Sequence, residues 1–306
     1  MLHPVELEAG TQVAKAGERG EHFLLVVEGR ALVTDPSTGE EVAEVGPGSI
    51  LGELALLTDG RRLRDIVVTS PLRGLVGDAH SFALALGVEE FRTHVAGCAA
   101  QRLAASATAV VAHDRSGDEL LIRPLLPADR DAYLDALATA SRETLVNRFF
   151  SGASPSSAVI DYLLDVDYVR HFAWVAVDHD GDDSNGEPVG IGRYIRDRDD
   201  PTTAEFAIAV AESHRRRGVA SVLLGALGVT ALASGVATLT ANVLSDNVPM
   251  RALLDELGAS WERVEAGVVA TALPATRYAS LFDQAAVADL ESSIEAMVRA
   301  ASLALA

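Results

Sequence analysis

Apolar and polar positions alternate over short stretches in the first quarter of the chain. His22–Val27, Arg30–Thr34, Glu41–Val45 and Asp65–Thr69 each read as a strand. Glycine-bearing turns separate them at Glu28-Gly29, Ser37-Thr38-Gly39 and Gly46-Pro47-Gly48. Strands spaced this closely predict a small β-sandwich or barrel. From Ser81 to Ala112 the sequence turns alanine-rich and proline-free, and the stretch predicts helix. Asp114-Arg115-Ser116-Gly117-Asp118 then breaks the pattern and marks a domain boundary.

Beyond residue 118 strands and helices alternate. Glu119–Leu125 reads as a strand, and Pro127-Ala128-Asp129 opens a helix to Ala140, proline standing where its missing N–H costs least. Helical patterns follow over Ser141–Phe150 and Ser156–Leu164. His171–Asp178 is an apolar strand, and Asp178–Glu187 an acidic hairpin loop. Pro188–Arg196 and Thr203–Val210 are further strands, Arg216–Ser234 a helix and Val236–Val243 a strand. Val248–Leu257 is a helix ended by Gly258, and Trp261–Leu273 a strand. The tail from Ser280 to Ala306 is an amphipathic helix rich in Ala and Leu. The pattern predicts an α+β protein of two domains.

Composition narrows the function. A chain of 306 residues, 49% hydrophobic and 23% charged, has room for about two cores of its own. The formal charge of −19 argues against nucleic acid, whose phosphates demand clustered Lys and Arg. It suits a basic partner such as an exposed lysine, or simply solubility. Cys98, the single cysteine, cannot form an internal disulfide and fits a reducing, cytoplasmic setting. No apolar run reaches the ~18 residues of a spanning helix, and Met1-Leu2-His3-Pro4 lacks a signal pattern, so no membrane association is expected. No metal site is expected, and no helix-turn-helix with a basic recognition helix is present.

The most informative stretch is Glu205-Phe-Ala-Ile-Ala-Val-Ala-Glu-Ser-His-Arg215-Arg-Arg-Gly218-Val-Ala220. An apolar strand runs into a turn of arginines and glycine, and a helix begins at once. Free backbone N–H groups and the positive end of the helix dipole then face an anion, and the natural ligand is a pyrophosphate. Arg-x-x-Gly-x-Ala after a strand resembles motif A of the GNAT acetyltransferases. Ile122–Asp129 looks like the first strand and helix of such domains, and Leu244–Ala259 like their later Asn-helix-Gly segment. The resemblance implies a GNAT mixed α/β fold and acetyl-coenzyme A as substrate. It implies a pyrophosphate site at Arg215, Arg216, Arg217, Gly218, Val219 and Ala220. The pantetheine arm would lie on the backbone of Ile208, Ala209 and Val210. Asn247 would touch the coenzyme or cap the following helix. Amide formation needs a neutral amine, and a carboxylate can take the proton. Glu205 holds the place where many GNAT enzymes keep that base; Glu212, beside the turn, is the weaker alternative, and an exposed strand carboxylate is the plain reading of Glu205. The tyrosine that many relatives carry after the Asn is missing from Val248-Pro-Met-Arg251.

Upstream, Gly46-Pro-Gly-Ser-Ile-Leu-Gly52-Glu53-Leu54-Ala55-Leu-Leu-Thr-Asp-Gly-Arg-Arg62 resembles the phosphate-binding cassette of cyclic-nucleotide-binding domains. That resemblance implies a β-roll with flanking helices. Amides at Gly52, Glu53, Leu54 and Ala55 would hold the cyclic phosphate, Glu53 the ribose hydroxyl, and Arg62 and Leu63 would complete the site. The residue before Arg62 is Arg61 where the family keeps proline, and Arg64 replaces Arg62 if the register slips.

A nucleotide-sensing domain ahead of a GNAT domain is similar to the mycobacterial and actinobacterial cAMP-regulated protein lysine acetyltransferases. The expected layout is 1–96 sensor, 97–117 helical linker, 118–278 acetyltransferase and 279–306 C-terminal helix. The resemblance implies acetylation of a protein lysine, on an acyl-CoA synthetase, switched by cAMP. It also implies an autoinhibitory lid within Asn147–Arg170, with His171 near the acceptor; the plain reading of His171 is a strand-start histidine with no role. Two other readings stand beside it: an acetyltransferase for a small amine, and a nucleotide-sensing protein with an inactive acetyltransferase fold.

Overall fold

The computed structural model describes residues 1–58, 60–179 and 186–302. The chain divides into two compact units. The first is Met1–Ala99 with the end of the last helix from Arg299, and the second is Ala100–Val298.

The first unit is a six-stranded antiparallel roll built from β1 (His3–Leu7), β2 (Gln12–Ala14), β3 (His22–Thr34), β4 (Glu41–Val45), β5 (Ile50–Leu51) and β6 (Asp65–Asp78). The order is β1-β6-β3-β4, with β2 on β6 and β5 on β3. Two expected strands, His22–Val27 and Arg30–Thr34, are one, because register shifts between Val26 and Arg30 carry the ladder past Gly29. There φ is +86°, and a Cβ would lie 2.3 Å from the Pro71 carbonyl oxygen, so only glycine fits. Both faces of β3 are buried. Leu24 and Val26 join Ala14, Leu51, Ile66, Val68 and Leu72 inside the roll. Phe23 turns the other way, to Phe82 and Val95 of the helices α2 (Ala79–Ala85) and α3 (Glu89–Ser106). The short α1 (Glu53–Leu57) follows β5.

Helix does not continue to Ala112, and residues 97–117 are not a purely helical linker. α3 ends at Ser106, and β7 (Val110–His113) pairs with β8 (Glu119–Pro124) at the edge of the second sheet. Val110 and Ala112 are buried while Val111 and His113 are exposed, the period of a half-covered strand that alanine content obscured.

The second unit carries an eight-stranded sheet of β7, β8, β9 (His171–Asp178), β10 (Pro188–Arg196), β11 (Thr203–Val210), β12 (Thr238–Leu244), β13 (Glu262–Glu265) and β14 (Val268–Pro274). Its order is β13-β14-β12-β11-β10-β9-β8-β7. Only β11 and β12 run parallel, as their helical crossover α7 (Val219–Ala233) requires. The expected strand Trp261–Leu273 is a hairpin, β13–β14, turned at Gly267 with φ +82°. Of the acidic loop expected over Asp178–Glu187, residues 180–185 lie outside the described residues.

Helices cover both faces of this sheet. α7 is apolar all round and buried from Val222 to Ala231, against β9, β10 and β11. Trp174 anchors it, its indole N–H donating to Thr230 at 2.8 Å. α4 (Arg130–Thr139), α5 (Arg142–Phe149) and α6 (Ser157–Leu164) follow β8. Ser141 and Ser156 cap α5 and α6, their hydroxyls accepting from Thr144 N and Val159 N. α8 (Val248–Glu256), α9 (Ala275–Ala279) and α10 (Val287–Ser302) complete the chain, so the expected C-terminal helix begins at Val287 and not near Ser280; residues 303–306 lie outside the described residues. Among the described residues no helix is long and apolar enough to cross a membrane.

Candidate functional site

The second sheet opens at its centre. β11 and β12 pair only at Thr203–Thr238, Ala204–Leu239 and Glu205–Thr240. Both strands then run on, β11 to Val210 and β12 to Leu244, without pairing to each other, while β11 keeps its ladder to β10 as far as Val210. Backbone groups of Phe206–Val210 on the β12 side therefore have no strand partner. They form an internal edge able to receive an extended, amide-bearing ligand. Ile208, Ala209 and Val210 lie along it, half-buried. Glu205 stands where the two strands part.

The turn after β11 is held open for an anion. A single 3-10 turn, Glu212–His214, leads to Arg215, and Gly218 caps α7 with φ +98° and no side-chain cap. Ser221 and Val222 close on the Gly218 carbonyl, leaving the amides of Val219 and Ala220 facing out of the helix end. Arg216 sits at φ +66°, a left-handed conformation uncommon for a residue with a side chain. The three arginines differ in employment. Arg217 donates from Nε to Asp114 and from Nη2 to Asp118, both at 2.8 Å, with Asp178 at 3.8 Å. Its side chain is a structural clamp, so of the expected site residue only the backbone is left for a phosphate. Arg215 donates to Thr144 at 2.6 Å. Arg216 is exposed and makes no side-chain hydrogen bond or ion pair among the described residues.

Asp114 and Asp118 belong to the segment read from sequence as a boundary. Asp114 is buried and accepts from Ser116 N, Asp118 N and Arg217 Nε, while Arg115 N donates to the Arg217 carbonyl at 2.7 Å. The β7–β8 turn is thus the bed on which the arginine turn lies. Its Asp-x-Ser-Gly-Asp composition signals a turn, but nothing local names Arg217 as the partner.

Glu205 is exposed and receives the Asn242 side-chain amide at 3.3 Å. Glu212 is occupied elsewhere: it accepts from Ser141 N at 3.3 Å and Thr144 Oγ1 at 2.8 Å, fastening the start of α5, and these hydrogen bonds hold its carboxyl below the usual range. Asn247 caps α8 by accepting from Met250 N at 3.2 Å, the second of its two expected roles.

Side chains facing away from α7 form a charged cluster in which Glu205 and His171 are joined by Arg193 and Asn242, two residues that sequence gave no reason to single out. Gly192 abuts Leu223 and Leu227 of α7, so by alternation Arg193 points to the opposite face. His171, Glu205 and Asn242 share that face through the ladder positions Ile195–His171, Ile195–Glu205 and Glu205–Thr240. His171 is buried. Its Nε2 lies 3.1 Å from Arg193 Nη1, a permanent donor, and its Nδ1 lies 3.2 Å from the Asp165 carbonyl. The ring is therefore neutral with the proton on Nδ1. Burial, with Arg193 alongside, pushes its pKa down to about 4. Burial also lowers Arg148, with Tyr133 and Glu205 opposing.

In the first unit, Gly52 opens α1 at φ +84°. Arg62 wraps around it, donating to the carbonyls of Gly52 at 2.9 Å and His22 at 2.7 Å. A Cβ at Gly52 would meet Arg62 Nη1 at 1.9 Å. Glu53 is buried near Arg62, Ala55 is buried, Leu54 is half-buried and Leu63 is at the surface. Arg64 instead pairs with Asp35. The structure thus brings Arg62, and not Arg64, to the cassette.

Two family models match the chain: the cyclic nucleotide-binding domain over residues 4–86 and the acetyltransferase (GNAT) family over residues 137–259. The chain is 36% identical over 272 residues to acetyltransferase Pat of Mycolicibacterium smegmatis, covering 88% of this chain and 80% of that protein. It is similar to the solved structure of a cAMP-binding acyltransferase from Mycobacterium smegmatis, with 30% identity, a TM-score of 0.54, and 98% and 90% of the two chains covered. A shorter stretch of 75 residues is 40% identical to a cAMP-dependent protein kinase regulatory subunit of Dictyostelium discoideum, 22% of each chain.

Proposed function

The chain belongs to the Pat family of acetyltransferases, a cyclic nucleotide-binding domain joined to a GNAT domain, and we propose that it is a cAMP-regulated protein lysine N-acetyltransferase whose general base is Glu205. The observation that carries the catalytic half is the parting of β11 and β12 immediately beyond Glu205. A carboxylate at the apex of an unfilled strand gap, one strand upstream of a helix end rich in free amides, fits an acyl-coenzyme A laid along Ile208, Ala209 and Val210. The pyrophosphate then rests on Gly218, Val219 and Ala220 with Arg216 beside it, and Arg215 and Arg217 hold the turn.

In this mechanism Glu205 takes a proton from the lysine ammonium, directly or through a water, and Asn242 orients the carboxylate. The neutral amine attacks the thioester carbonyl. A backbone N–H of the open β11 edge donates to the oxygen as negative charge gathers there, the arrangement in which preorganised donors are most effective. The tetrahedral species collapses with departure of the thiolate. A thiolate is stable enough to leave without a dedicated acid, in keeping with the lack of a tyrosine over Val248–Arg251.

On the sensing side, Arg62 at the mouth of the Gly52–Ala55 cassette supports a cyclic phosphate ligand, as does the cAMP-binding described for the relative. Regulation requires that cAMP bind the active conformation more tightly than the inactive one. The acceptor proposed is a lysine of an acyl-CoA synthetase. The test is acetyl transfer from acetyl-coenzyme A into a cell lysate, with and without cAMP, read by mass spectrometry of acetylated lysines. More acetyl-lysine with cAMP, concentrated on acyl-CoA synthetases, is expected; equal transfer in both arms sinks the regulatory reading.

A further inference from the structure

One buried cation on the Glu205 face has no counter-ion among the described residues. Arg193 is 2% exposed. Its Nη1 is engaged by the Leu163 carbonyl and by His171 Nε2, but its Nη2 is buried without any hydrogen-bond partner. The charged or ionisable groups that bear on it are Tyr133, Tyr162 and a second guanidinium, Arg148, with no carboxylate among them. Arg148 in turn faces Tyr133 and Glu205. Two mutually repelling guanidiniums therefore stand near each other, and among the described residues the carboxylate that bears on Arg148 is Glu205, the base. Buried charges in folded proteins are normally paired, and one that is not marks a place reserved for an outside partner.

Geometry says what that partner is. Arg193 and Glu205 occupy rungs two apart on one antiparallel ladder, Arg193–Ala207 and Ile195–Glu205 with Tyr194–Phe206 between them, and so point to the same side. Such diagonal neighbours lie ~7–8 Å apart at Cα, within one amino acid's span. The neutral ring of His171 fixes the guanidinium on its Nη1 side and leaves Nη2 free. Tyr162 stacks on that ring with centroids 5.8 Å apart and is itself 54% exposed, so the cluster reaches solvent. With both Nη1 hydrogens engaged, Nη2 is left to donate a charge-assisted hydrogen bond to a carboxylate oxygen.

We propose that Arg193 and Arg148, with Tyr133 adjoining both, form a carboxylate-binding subsite beside Glu205, so that the acetylated amine is carried next to a carboxylate on the same acceptor. This rests on the reading of Glu205 as the base, and it adds a class of acceptor: an amine with an anionic neighbour. The carboxylate has two sources of one chemistry, an acidic side chain flanking a protein lysine or the α-carboxylate of a free amino acid.

The full-length protein with saturating cAMP is assayed on matched pairs: a lysine peptide with Glu beside the lysine against the same peptide with Gln, and free L-lysine against cadaverine, which lacks the carboxylate. The subsite is expected to give at least about a tenfold preference in kcat/KM for the carboxylate member of one pair, the pair identifying the source. In Arg148→Gln, whose side chain is only half-buried, the two members are expected to converge. Glutarate, a carboxylate probe without an amine, tests the site without turnover: it is expected to raise the unfolding midpoint of the wild type and not of Arg148→Gln. Equal rates within both pairs together with no glutarate effect overturn the subsite. Absence of transfer to every acceptor with a persisting glutarate effect overturns the acetyltransferase reading and leaves the carboxylate site standing.

Discussion

Replacing Asp114 tests whether the arginine turn is held from beneath. The carboxylate is buried and accepts from two backbone amides and from Arg217 Nε. Asp114→Asn keeps an oxygen for the amides but places an uncharged amide against the guanidinium. A charge-assisted hydrogen bond contributes ~1.5–3 kcal/mol, and Arg217 keeps Asp118 at 2.8 Å. A loss of about 2 kcal/mol is expected for Asn. Asp114→Ala also strips the two amide bonds, bringing the loss to about 3–4 kcal/mol, in the range for breaking a buried pair. Both tryptophans of the chain, Trp174 and Trp261, lie in the second unit, so fluorescence-monitored urea unfolding reports that unit alone. With a slope of ~2 kcal/mol/M, the Asn variant's midpoint shifts by about 1 M. Calorimetric binding of coenzyme A should weaken about tenfold in parallel, because a looser turn must be ordered by the ligand. Burial raises the pKa of Asp114, but its bonds to Arg217 and the two amides outweigh that and hold it below the usual value. The stabilisation is thus present above the ordinary carboxylate range and lost as pH falls through the depressed folded value, where wild type and Asn variant converge. A shifted midpoint with unchanged coenzyme affinity would refute the clamp's functional part.

Other expectations follow the same logic. Glu205→Gln lowers turnover by ~10²–10⁴, the usual contribution of a general base, while coenzyme A binding measured by calorimetry holds; undiminished turnover removes Glu205 from the role. Arg62→Ala abolishes cAMP binding in the same instrument, whereas Arg64→Ala, which loses the pair with Asp35 and not a cassette contact of the Arg62 kind, retains it; equal losses would return the two arginines to equivalence. His171, pushed from 6.5 to about 4, is neutral in the folded protein while the unfolded chain takes up a proton. Stability of the second unit should therefore fall by up to about 3 kcal/mol as pH drops from 6.5 through 4, and His171→Gln should flatten that slope in urea titrations.

What the sequence revealed divides along physical lines. Strands buried on both faces, such as His171–Asp178, and helices opened by serine, such as those after Ser141 and Ser156, announce themselves through local composition. Gly218 is equally legible, because a helix start after an apolar strand leaves few reasons for glycine other than a left-handed turn. The strand at Val110–His113 was hidden by its alanine-rich surroundings, and the two strands of Glu262–Pro274 were merged into one across the Ala266-Gly267 turn, though Gly267 was the available cue. Long-range partners were illegible in principle. Asp114 lies 103 residues from Arg217, and no spacing rule connects them. Arg193 looks in sequence like an ordinary strand arginine; only the ladder shows that it turns inward. The choice between Arg62 and Arg64 likewise required the fold, since Asp35 claims the latter.

The brief contact between β11 and β12 has a mechanical consequence. Their shared ladder spans only Thr203–Glu205 and Thr238–Thr240, so the sheet is two leaves, β7 to β11 and β12 to β14, joined by a short backbone strap. A ligand seated in the gap beyond Glu205 braces the leaves against each other like a strut. The angle between them, and with it the distance across which an amine meets its acyl donor, is then set by the length of what is wedged there, and the base sits at the fulcrum, where that angle changes least.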